Sequence, residues 1–158
     1  MKSNNIWLFS FILLLLCNFY VIRLAFVFGE SMKPTLDPYD CVIIWQLAYT
    51  PVSGDIVVTD ADNAYSQNIV KRVIATEGQH ICIDENVIYV DGAKLQEPYL
   101  VSDPVLEYAP MDIIVPADKV FLLGDNRNFS KDSREIGCFE QKSIKGKVVL
   151  RFLPFEIF

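Results

Sequence analysis

Histidine and cysteine are both scarce in this sequence of 158 residues, and their scarcity excludes several kinds of catalytic site. His80 is the only histidine, so a Ser-His-Asp or Cys-His enzyme would have to use it. It lies in EGQHICI, between a turn signal and an apolar run, where a structural or surface role is expected. Because no C-x-x-C pair is present, a four-ligand zinc site with the usual spacing is not supported. We interpret the cysteines as small apolar side chains: Cys17, Cys41, Cys82 and Cys138. A disulfide among Cys41, Cys82 and Cys138 is left open.

Positive charge is also in short supply. The chain has 14 lysines and arginines against 20 aspartates and glutamates, which gives a net charge of −6. No basic surface is left over for phosphate backbones, so a nucleic-acid partner is not expected. Hydrophobic residues make up 52% of the chain and charged residues 22%, which excludes a disordered chain and argues against a purely soluble protein.

The longest apolar run covers residues 6–28, where Arg23 is the only charged side chain. As one helix it would be roughly 34 Å long, enough for a hydrocarbon layer of about 30 Å. A cleaved secretory signal peptide is the alternative, but the run is long for one and no A-x-A-like site precedes Gly29. We therefore expect an uncleaved transmembrane anchor over residues 1–28, followed by a single domain over residues 29–158.

The charges that flank the apolar run do not orient it. Lys2 precedes the run and Lys33 follows it closely, so the positive-inside rule is nearly balanced. The side of the membrane on which the domain lies therefore needs other evidence.

The rest of the chain has the pattern of an all-β domain. Short runs rich in valine and isoleucine alternate with turn signals, and no long amphipathic helix is present after residue 30. Asp91-Gly92 is a two-residue hairpin signal, and Asp84-Glu85-Asn86 predicts a second tight turn. The predicted strands cover residues 41–47, 55–59, 69–75, 81–83, 87–90, 113–115, 120–123 and 147–152.

Two separated segments offer a nucleophile and a base. Ser31 lies in GESMKPTL, where Pro34 disfavours regular structure, so the serine is expected in a turn close to the end of the apolar run. Lys71 lies in the predicted strand NIVKRVIAT, where period-2 alternation places it on one face with Ile69, Val73 and Ala75. Such a lysine usually packs its aliphatic stem against the sheet and leaves its amine exposed to solvent. The alternative is a desolvated, neutral amine that can act as a general base.

A third segment, GDNRNFSKDSR at residues 124–134, is dense in acids, arginines and hydroxyls. A calcium loop is excluded because Arg127 and Phe129 occupy positions that need oxygen ligands. A solvated polar loop remains an alternative. The composition fits better a hydrogen-bonded network that holds something in place.

At these segments the sequence resembles the type I signal peptidases, membrane-bound Ser-Lys proteases that remove signal peptides. The resemblance covers nearly the whole chain: an apolar N-terminal run, SM-x-PTL, GDIVV, KRV and GDNR-x-x-S-x-DSR follow one another in the family's order. It implies a signal-peptidase-like fold of antiparallel β sheets, related to that of the self-cleaving SOS repressors. Those repressors carry a DNA-binding domain where this chain carries an apolar run.

The resemblance also implies roles for individual residues. It makes Ser31 the nucleophile, Lys71 the general base and then acid, and Ser130 the hydroxyl that hydrogen-bonds and orients the Lys71 amine. Asp132 and Arg134 would pair and brace the loop. The supporting residues would be Asp125 and Arg127, and the residues that help to line the substrate pocket would be Met32, Leu36, Ile69 and Val70.

The oxyanion hole would use the Ser31 backbone N–H. Some family members add a hydroxyl two residues before the nucleophile, where this chain has Gly29, so a side-chain donor is missing. By the same resemblance no metal or organic cofactor is needed, and the partners are signal peptides of exported preproteins and the lipid bilayer. The expected location is the bacterial plasma membrane, single-pass, with the catalytic domain outside the cytoplasm. The oligomeric state is not predicted.

Three other functions stay open on the sequence alone. The first is a specialised plasmid or conjugation peptidase that matures pilin-like proteins with the same dyad. The second is a non-catalytic, membrane-tethered β domain that binds a partner. The third is a secreted binding protein whose leader is removed.

Lys33 is a rival base for Ser31, but its exposed setting beside Pro34 would keep it charged.

Overall fold

The computed structural model describes residues 3–60, 68–100, 108–152 and 154–158. The chain begins with one α helix, α1 (Ser3–Tyr20), and continues directly into a strand, β1 (Ile22–Phe26). Among the described residues, no helix is both long enough and apolar enough to cross a lipid bilayer.

The prediction of one helix over residues 6–28 is wrong in its extent. The helix ends at Tyr20, and β1 pairs antiparallel along its whole length with the next strand, β2 (Cys41–Trp45). This pairing satisfies the main-chain groups that a longer helix would have bonded internally. The change of structure also buries Val27 in the domain core, so part of the apolar run belongs to the globular domain.

The remaining elements are almost all strands. All eight predicted strands are confirmed with ends that shift by a few residues, whereas β1 and three strands of two residues each were not predicted. In chain order they are β3 (Ile56–Thr59), β4 (Ile69–Thr76), β5 (His80–Asp84), β6 (Val87–Val90), β7 (Ala93–Lys94), β8 (Met111–Ile114), β9 (Lys119–Leu123), the helix α2 (Ser133–Ile136), β10 (Phe139–Glu140), β11 (Ile144–Arg151) and β12 (Glu156–Ile157).

The strands form two antiparallel sheets in the described part of the chain. The larger sheet has eight strands in the order β1-β2-β11-β3-β4-β9-β10, with β12 paired to β11. The smaller has the order β7-β6-β5-β8. Both predicted tight turns are confirmed: Glu85-Asn86 joins β5 to β6 and Asp91-Gly92 joins β6 to β7, all four with positive φ. The all-β expectation is therefore confirmed for the domain.

Apolar side chains cover both faces of the larger sheet. One cluster lies on the face formed by β1, β2, β3 and β11, and it includes Met32 and Leu36 from the segment before β2. A second lies between the two sheets, around Phe121 and Ile81. A third covers the other face of β3, β4 and β9 around Val73. Each fully buried side chain of this size contributes roughly 1.5–3 kcal/mol, so the segment that carries Ser31 is fixed at two points.

Candidate active site

Ser31 lies in a tight turn that two buried side chains hold down. Met32 and Leu36 are 1% and 0% exposed, and the Leu36 N–H donates to the Met32 carbonyl at 2.9 Å. Because the turn is anchored immediately after Ser31, the serine side chain has a fixed position. It is only partly exposed.

Lys71 reaches Ser31 from the middle of the larger sheet. It lies on β4 and is 3% exposed, although it is a lysine. Its Nζ donates to Ser31 Oγ at 2.7 Å and to the Val70 carbonyl at 3.1 Å. The two segments proposed as nucleophile and base, 40 residues apart in sequence, therefore meet in one hydrogen bond.

Burial changes the acidity of the Lys71 amine. Desolvation lowers the pKa of Lys71 from its ordinary value of 10.5 to about 8. Asp132 and Asp125 oppose this change because their negative charges favour the ammonium, while Arg134 adds to it. A substantial fraction of the amine is therefore uncharged just above neutral pH, which is what a general base requires.

The expected pair of Asp132 and Arg134 is present behind the lysine. Arg134 Nε donates to Asp132 Oδ1 at 2.8 Å and Arg134 Nη2 donates to Asp132 Oδ2 at 2.9 Å. Asp132 is fully buried, accepts the Gly124 N–H at 3.0 Å and is also the N-cap of α2. This carboxylate therefore ties both ends of the 124–134 loop together.

A second carboxylate, Asp125, joins the loop to β4 and to the serine segment. Arg72 donates to it twice, from Nε at 2.8 Å and from Nη2 at 2.6 Å. Thr35 Oγ1 donates to Asp125 Oδ2 at 2.5 Å. The supporting role expected for Asp125 thus has two partners, Arg72 and Thr35, that sequence reasoning missed. The KRV and PTL motifs contain them, but nothing in the sequence links them to Asp125.

Asn126 holds the serine segment through its main chain, and sequence reasoning did not predict it. The Asn126 N–H donates to the Ser31 carbonyl at 2.9 Å, and its Nδ2 donates to the Glu30 carbonyl at 3.1 Å. These contacts fix the two peptide groups on either side of the Ser31 Cα. The position of the serine therefore depends on the 124–134 loop.

The hydrogen bond expected from Ser130 to the Lys71 amine is not present. Ser130 Oγ is buried and has no hydrogen-bond partner in the described part of the chain. The amine instead bonds Ser31 and the Val70 carbonyl. Ser130 packs against Gly124, where an added Cβ would collide with its hydroxyl and lie 2.5 Å from the Ser31 carbonyl oxygen. Gly124, which sequence reasoning also missed, is thus required for this close approach.

Arg127 braces the loop from the other side. Its Nε donates to the Gly124 carbonyl at 3.1 Å, and its Nη1 donates to Glu97 Oε2 at 3.1 Å. The pair is nearly closed to solvent, and Glu97 is a partner that the sequence did not suggest. The predicted support by Arg127 therefore acts on the same glycine that contacts Ser130.

A cleft of about 360 Å³ runs from the Ser31–Lys71 contact along β1. Three of the expected pocket residues line it, namely Met32, Ile69 and Val70, but Leu36 does not. The expectation for Leu36 is wrong because its side chain is fully buried in the core below the cleft. Much of the wall instead comes from β1 and the residues that follow it, the part of the chain that was predicted to be helical.

One edge of β4 is open beside this cleft. β4 pairs with β9 only from Arg72 to Thr76, so residues 69–71 have no strand on that side among the described residues. Their other edge pairs with β3. An extended peptide has room to add main-chain hydrogen bonds here, next to Ser31.

Gly29 is exposed and lies two residues before the serine, with φ of +87°. It supplies no side-chain donor to the cleft, as the sequence predicts. The left-handed backbone makes any other residue at this position strained.

Lys33, the rival base, is not near a suitable environment. Its amine donates to Glu30 Oε1 at 2.8 Å, and this hydrogen bond raises the pKa of Lys33 above its ordinary value. The side chain therefore stays charged at neutral pH and does not act as a base.

The three cysteines whose side chains the structure describes are free thiols, and each is partly buried: Cys41, Cys82 and Cys138. Burial raises the pKa of the Cys138 thiol, which therefore stays protonated. The Cys17 side chain lies outside the described residues. Within the described residues, no three His, Cys, Asp or Glu side chains cluster as metal ligands would.

His80 lies on β5 of the smaller sheet, and its Nε2 is 2.7 Å from Asp112 Oδ1 at the surface. We predict that His80→Ala keeps most of the catalytic activity, because the ring contacts neither Ser31 nor Lys71. The measurement is the cleavage rate of the purified variant. A loss of more than about a hundredfold, the range for removal of a general base, would contradict the serine–lysine assignment.

Comparisons with known proteins identify the class. The family described as signal peptidase, peptidase S26, matches residues 2–153. A probable signal peptidase I-1 of Synechocystis is 34% identical over 92% of this chain and 78% of the relative. A signal peptidase I of Bacillus caldolyticus is 37% identical over 82% of this chain and 79% of the relative.

A solved structure agrees. A signal peptidase I from Enterococcus faecalis superposes with a TM-score of 0.56 at 27% identity, covering 63% of this chain and 97% of that one. The protein is therefore an enzyme, a serine peptidase, and not the non-catalytic binding domain considered above. Within that class, the chain belongs to the signal peptidase family, peptidase S26.

Proposed function

We propose that this enzyme removes signal peptides from exported preproteins, with Ser31 as nucleophile and Lys71 as general base. The observation that carries the proposal is the 2.7 Å contact between Lys71 Nζ and Ser31 Oγ, made by an amine that is 3% exposed. A neutral lysine amine can take the serine proton, whereas a charged one cannot. Family membership supplies the substrate class.

The proposed reaction begins when Ser31 Oγ attacks the carbonyl carbon of the scissile bond and its proton passes to Lys71 Nζ. The C–N bond then breaks, and the lysine ammonium gives the proton to the leaving amine. A water molecule attacks the resulting ester with Lys71 again as base. The bond between the acyl carbon and Ser31 Oγ breaks, which releases the carboxyl end of the signal peptide, and the proton returns from Lys71 to the serine oxygen.

The oxyanion of the intermediate would lie at the Ser31 backbone N–H, since Gly29 offers no side-chain donor. Asn126 supports this role because it bonds the carbonyls of both Glu30 and Ser31, which fixes the orientation of the peptide between them. Such fixed donors need no reorganisation when charge develops.

The substrate would bind as an added strand. Its extended segment before the cut would pair with the open edge of residues 69–71 and lie along the cleft. Met32, Ile69 and Val70 would enclose the side chains at the first and third positions before the cut, which favours small residues there. The expected cut after an A-x-A-like sequence comes from the resemblance to the family, and this lining is compatible with it.

The family and a set of exposed apolar side chains support a location at the membrane. Phe26 and Phe28 are 62% and 77% exposed at the cleft, and the exposed side chains of α1 include Trp7 and Phe9. We propose that the N-terminal segment holds the enzyme at the bacterial plasma membrane with the catalytic domain outside the cytoplasm. The apolar part of a signal peptide would then lie in the bilayer next to the cleft.

The test is cleavage by the full chain in detergent micelles of a preprotein that ends its signal peptide in A-x-A. The wild-type enzyme should cut after the second alanine, and replacing that alanine with phenylalanine should abolish the cut.

The rate should rise with pH through about 8, because Lys71 must lose its proton to act as base. A rate that does not change between pH 6 and pH 10 would contradict the mechanism in which the neutral Lys71 amine is the base.

A further inference from the structure

Each of the two arginine–aspartate pairs behind Lys71 lies under a tyrosine ring. The guanidinium carbon of Arg72, which binds Asp125, is 4.0 Å from the centre of the Tyr99 ring. That of Arg134 is 4.4 Å from the centre of the Tyr108 ring. A guanidinium stacked on an aromatic face keeps its edge free for a carboxylate, so each ring and carboxylate together fix one arginine.

Both tyrosines belong to the same excursion of the chain, which leaves the smaller sheet after β7 and returns at β8. Near its start, the Leu95 N–H donates to the Ile88 carbonyl at 2.8 Å, and the Leu95 side chain packs between the sheets. Near its end, the Tyr108 N–H donates to Asn86 Oδ1 at 2.7 Å. The smaller sheet therefore determines where the two rings lie.

Glu97 fixes the first ring further. Its carboxylate accepts the Tyr99 hydroxyl at 2.8 Å and pairs with Arg127, which bonds the Gly124 carbonyl. The Tyr108 hydroxyl, by contrast, is buried and has no hydrogen-bond partner in the part of the chain that the structure describes. The contribution of Tyr108 to the site is therefore the face of its ring.

We propose that Tyr99 and Tyr108 are positioning residues that hold Arg72 on Asp125 and Arg134 on Asp132, and so maintain the arrangement of charges around the Lys71 amine. This inference rests on the proposed function, since it concerns the base of that reaction. It also gives the smaller sheet, which holds no residue of the serine–lysine contact, a role in the chemistry.

The charges around Lys71 predict the sign of the change in its pKa when either ring is removed. The charged groups that act on Lys71 are Asp132, Asp125 and Arg134, and Arg72 neutralises Asp125 from the far side. If Arg72 is released, Asp125 favours the lysine ammonium more strongly. If Arg134 is released, one positive charge that disfavours the ammonium is lost. Both changes raise the pKa of Lys71, so the loss of either ring acts in the same sense.

The tyrosines do not titrate in this range themselves. Burial raises the pKa of both Tyr99 and Tyr108, so their hydroxyls stay neutral at every pH at which the enzyme is measured. A shift in the pH profile of a ring variant therefore reports on Lys71 and the charges around it.

The test compares pH profiles of kcat/KM for Tyr99→Leu and Tyr108→Leu with the wild-type enzyme, all as full chains on the same preprotein. We expect the acidic limb to move to higher pH, so that each variant is about threefold to tenfold slower at pH 7 and is within about twofold of the wild-type rate at pH 9. Tyr108→Phe keeps the ring and should keep the wild-type profile. Tyr89→Leu is the matched control, because Tyr89 is also half-buried on the smaller sheet and its ring is not stacked on an arginine among the described residues.

The inference is overturned if the leucine variants lose the same fraction of activity at every pH, which is the mark of a purely structural role, or if they lose none. If a leucine variant does not fold, the methionine variant at that position is measured with the same criteria, since methionine fills irregular space. Failure of the proposed function is distinguishable, because the wild-type enzyme would then leave the preprotein uncut or lack an acidic limb near pH 8.

Discussion

Substituting methionine for Lys71 is expected to lower the rate constant for preprotein cleavage by about 10²–10⁴-fold. Methionine fills the same buried space but cannot accept the proton of Ser31, which the lysine amine contacts at 2.7 Å. Ser31→Ala should be at least as damaging. The double variant should be no worse than the more damaging single one, because the two side chains act as a unit. The measurement is single-turnover cleavage at saturating enzyme, which separates chemistry from substrate binding.

The same Lys71→Met variant should be more stable than the wild-type protein at neutral pH. The fall of the lysine pKa from 10.5 to about 8 means that the folded state pays about 3 kcal/mol to bury the charge at pH 7. This cost is full below pH 8, shrinks between pH 8 and 10.5, and vanishes above, since the unfolded chain then also releases its proton. Urea unfolding at pH 7 should therefore show a gain of up to that amount, reduced by the lost hydrogen bonds.

Lys33→Met is the matched control for this pair of expectations. Lys33 is two residues from Ser31 but is paired with Glu30 and charged, so its loss should leave most of the activity and little change in stability. If Lys33→Met were inactive and Lys71→Met active, the base would be Lys33 and the assignment would be wrong.

The second large effect is expected from Gly124→Ala. The added methyl group would collide with Ser130 and approach the Ser31 carbonyl oxygen to 2.5 Å, which forces the loop and the serine turn apart. We expect a loss of about 1–3 kcal/mol in the free energy of unfolding and of about 10²-fold or more in kcat, since small displacements of reacting groups are costly. Urea unfolding and single-turnover cleavage measure the two effects.

Gly137→Ala separates collision from backbone strain. Gly137 follows α2 with φ of +80°, and an added Cβ there meets no atom within 4 Å. This variant should lose about 1–3 kcal/mol of stability from the strained backbone, with kcat nearly unchanged. Equal losses of kcat in the two glycine variants would show that Gly124 has no special role at the site.

The strands of the domain were predictable because local chemistry and burial agree there. Runs rich in valine and isoleucine, joined by Glu85-Asn86 and followed by Asp91-Gly92, specify β5 and β6 without reference to distant parts of the chain, whereas the two-residue strand β7 carries no such run and was not predicted. The short strands β10 and β12 escaped prediction because two residues carry no periodicity.

The sequence could not place the end of α1. Residues 6–28 are apolar apart from Ser10, Asn18 and Arg23, and a run so rich in apolar residues does not by itself distinguish a helix from a strand. What decides is the pairing partner, β2, which begins 15 residues after β1 ends. Because β1 was predicted as part of the helix, its contribution to the wall of the cleft was not predicted either.

The residues of the candidate site also differ in whether they could be predicted from the sequence. Ser31 and Lys71 stand out as chemically unusual residues, a turn serine and a lysine in an apolar strand, so their types and positions are informative. Arg72, Thr35 and Asn126 bind partners 53, 90 and 95 residues away along the chain, and no local pattern specifies such pairs. Gly124 was missed because the need for a missing side chain appears only when two loops are packed together.

The protonation state of Lys71 is the centre of this account, and its direct titration is the sharpest test. In protein labelled with ¹³C at the lysine Cε positions, the resonance that disappears in Lys71→Met assigns the residue. Its chemical shift should titrate with a midpoint near pH 8. A midpoint near the ordinary value of 10.5 would mean a charged, solvated amine beside Ser31, and the lysine could not then serve as the base.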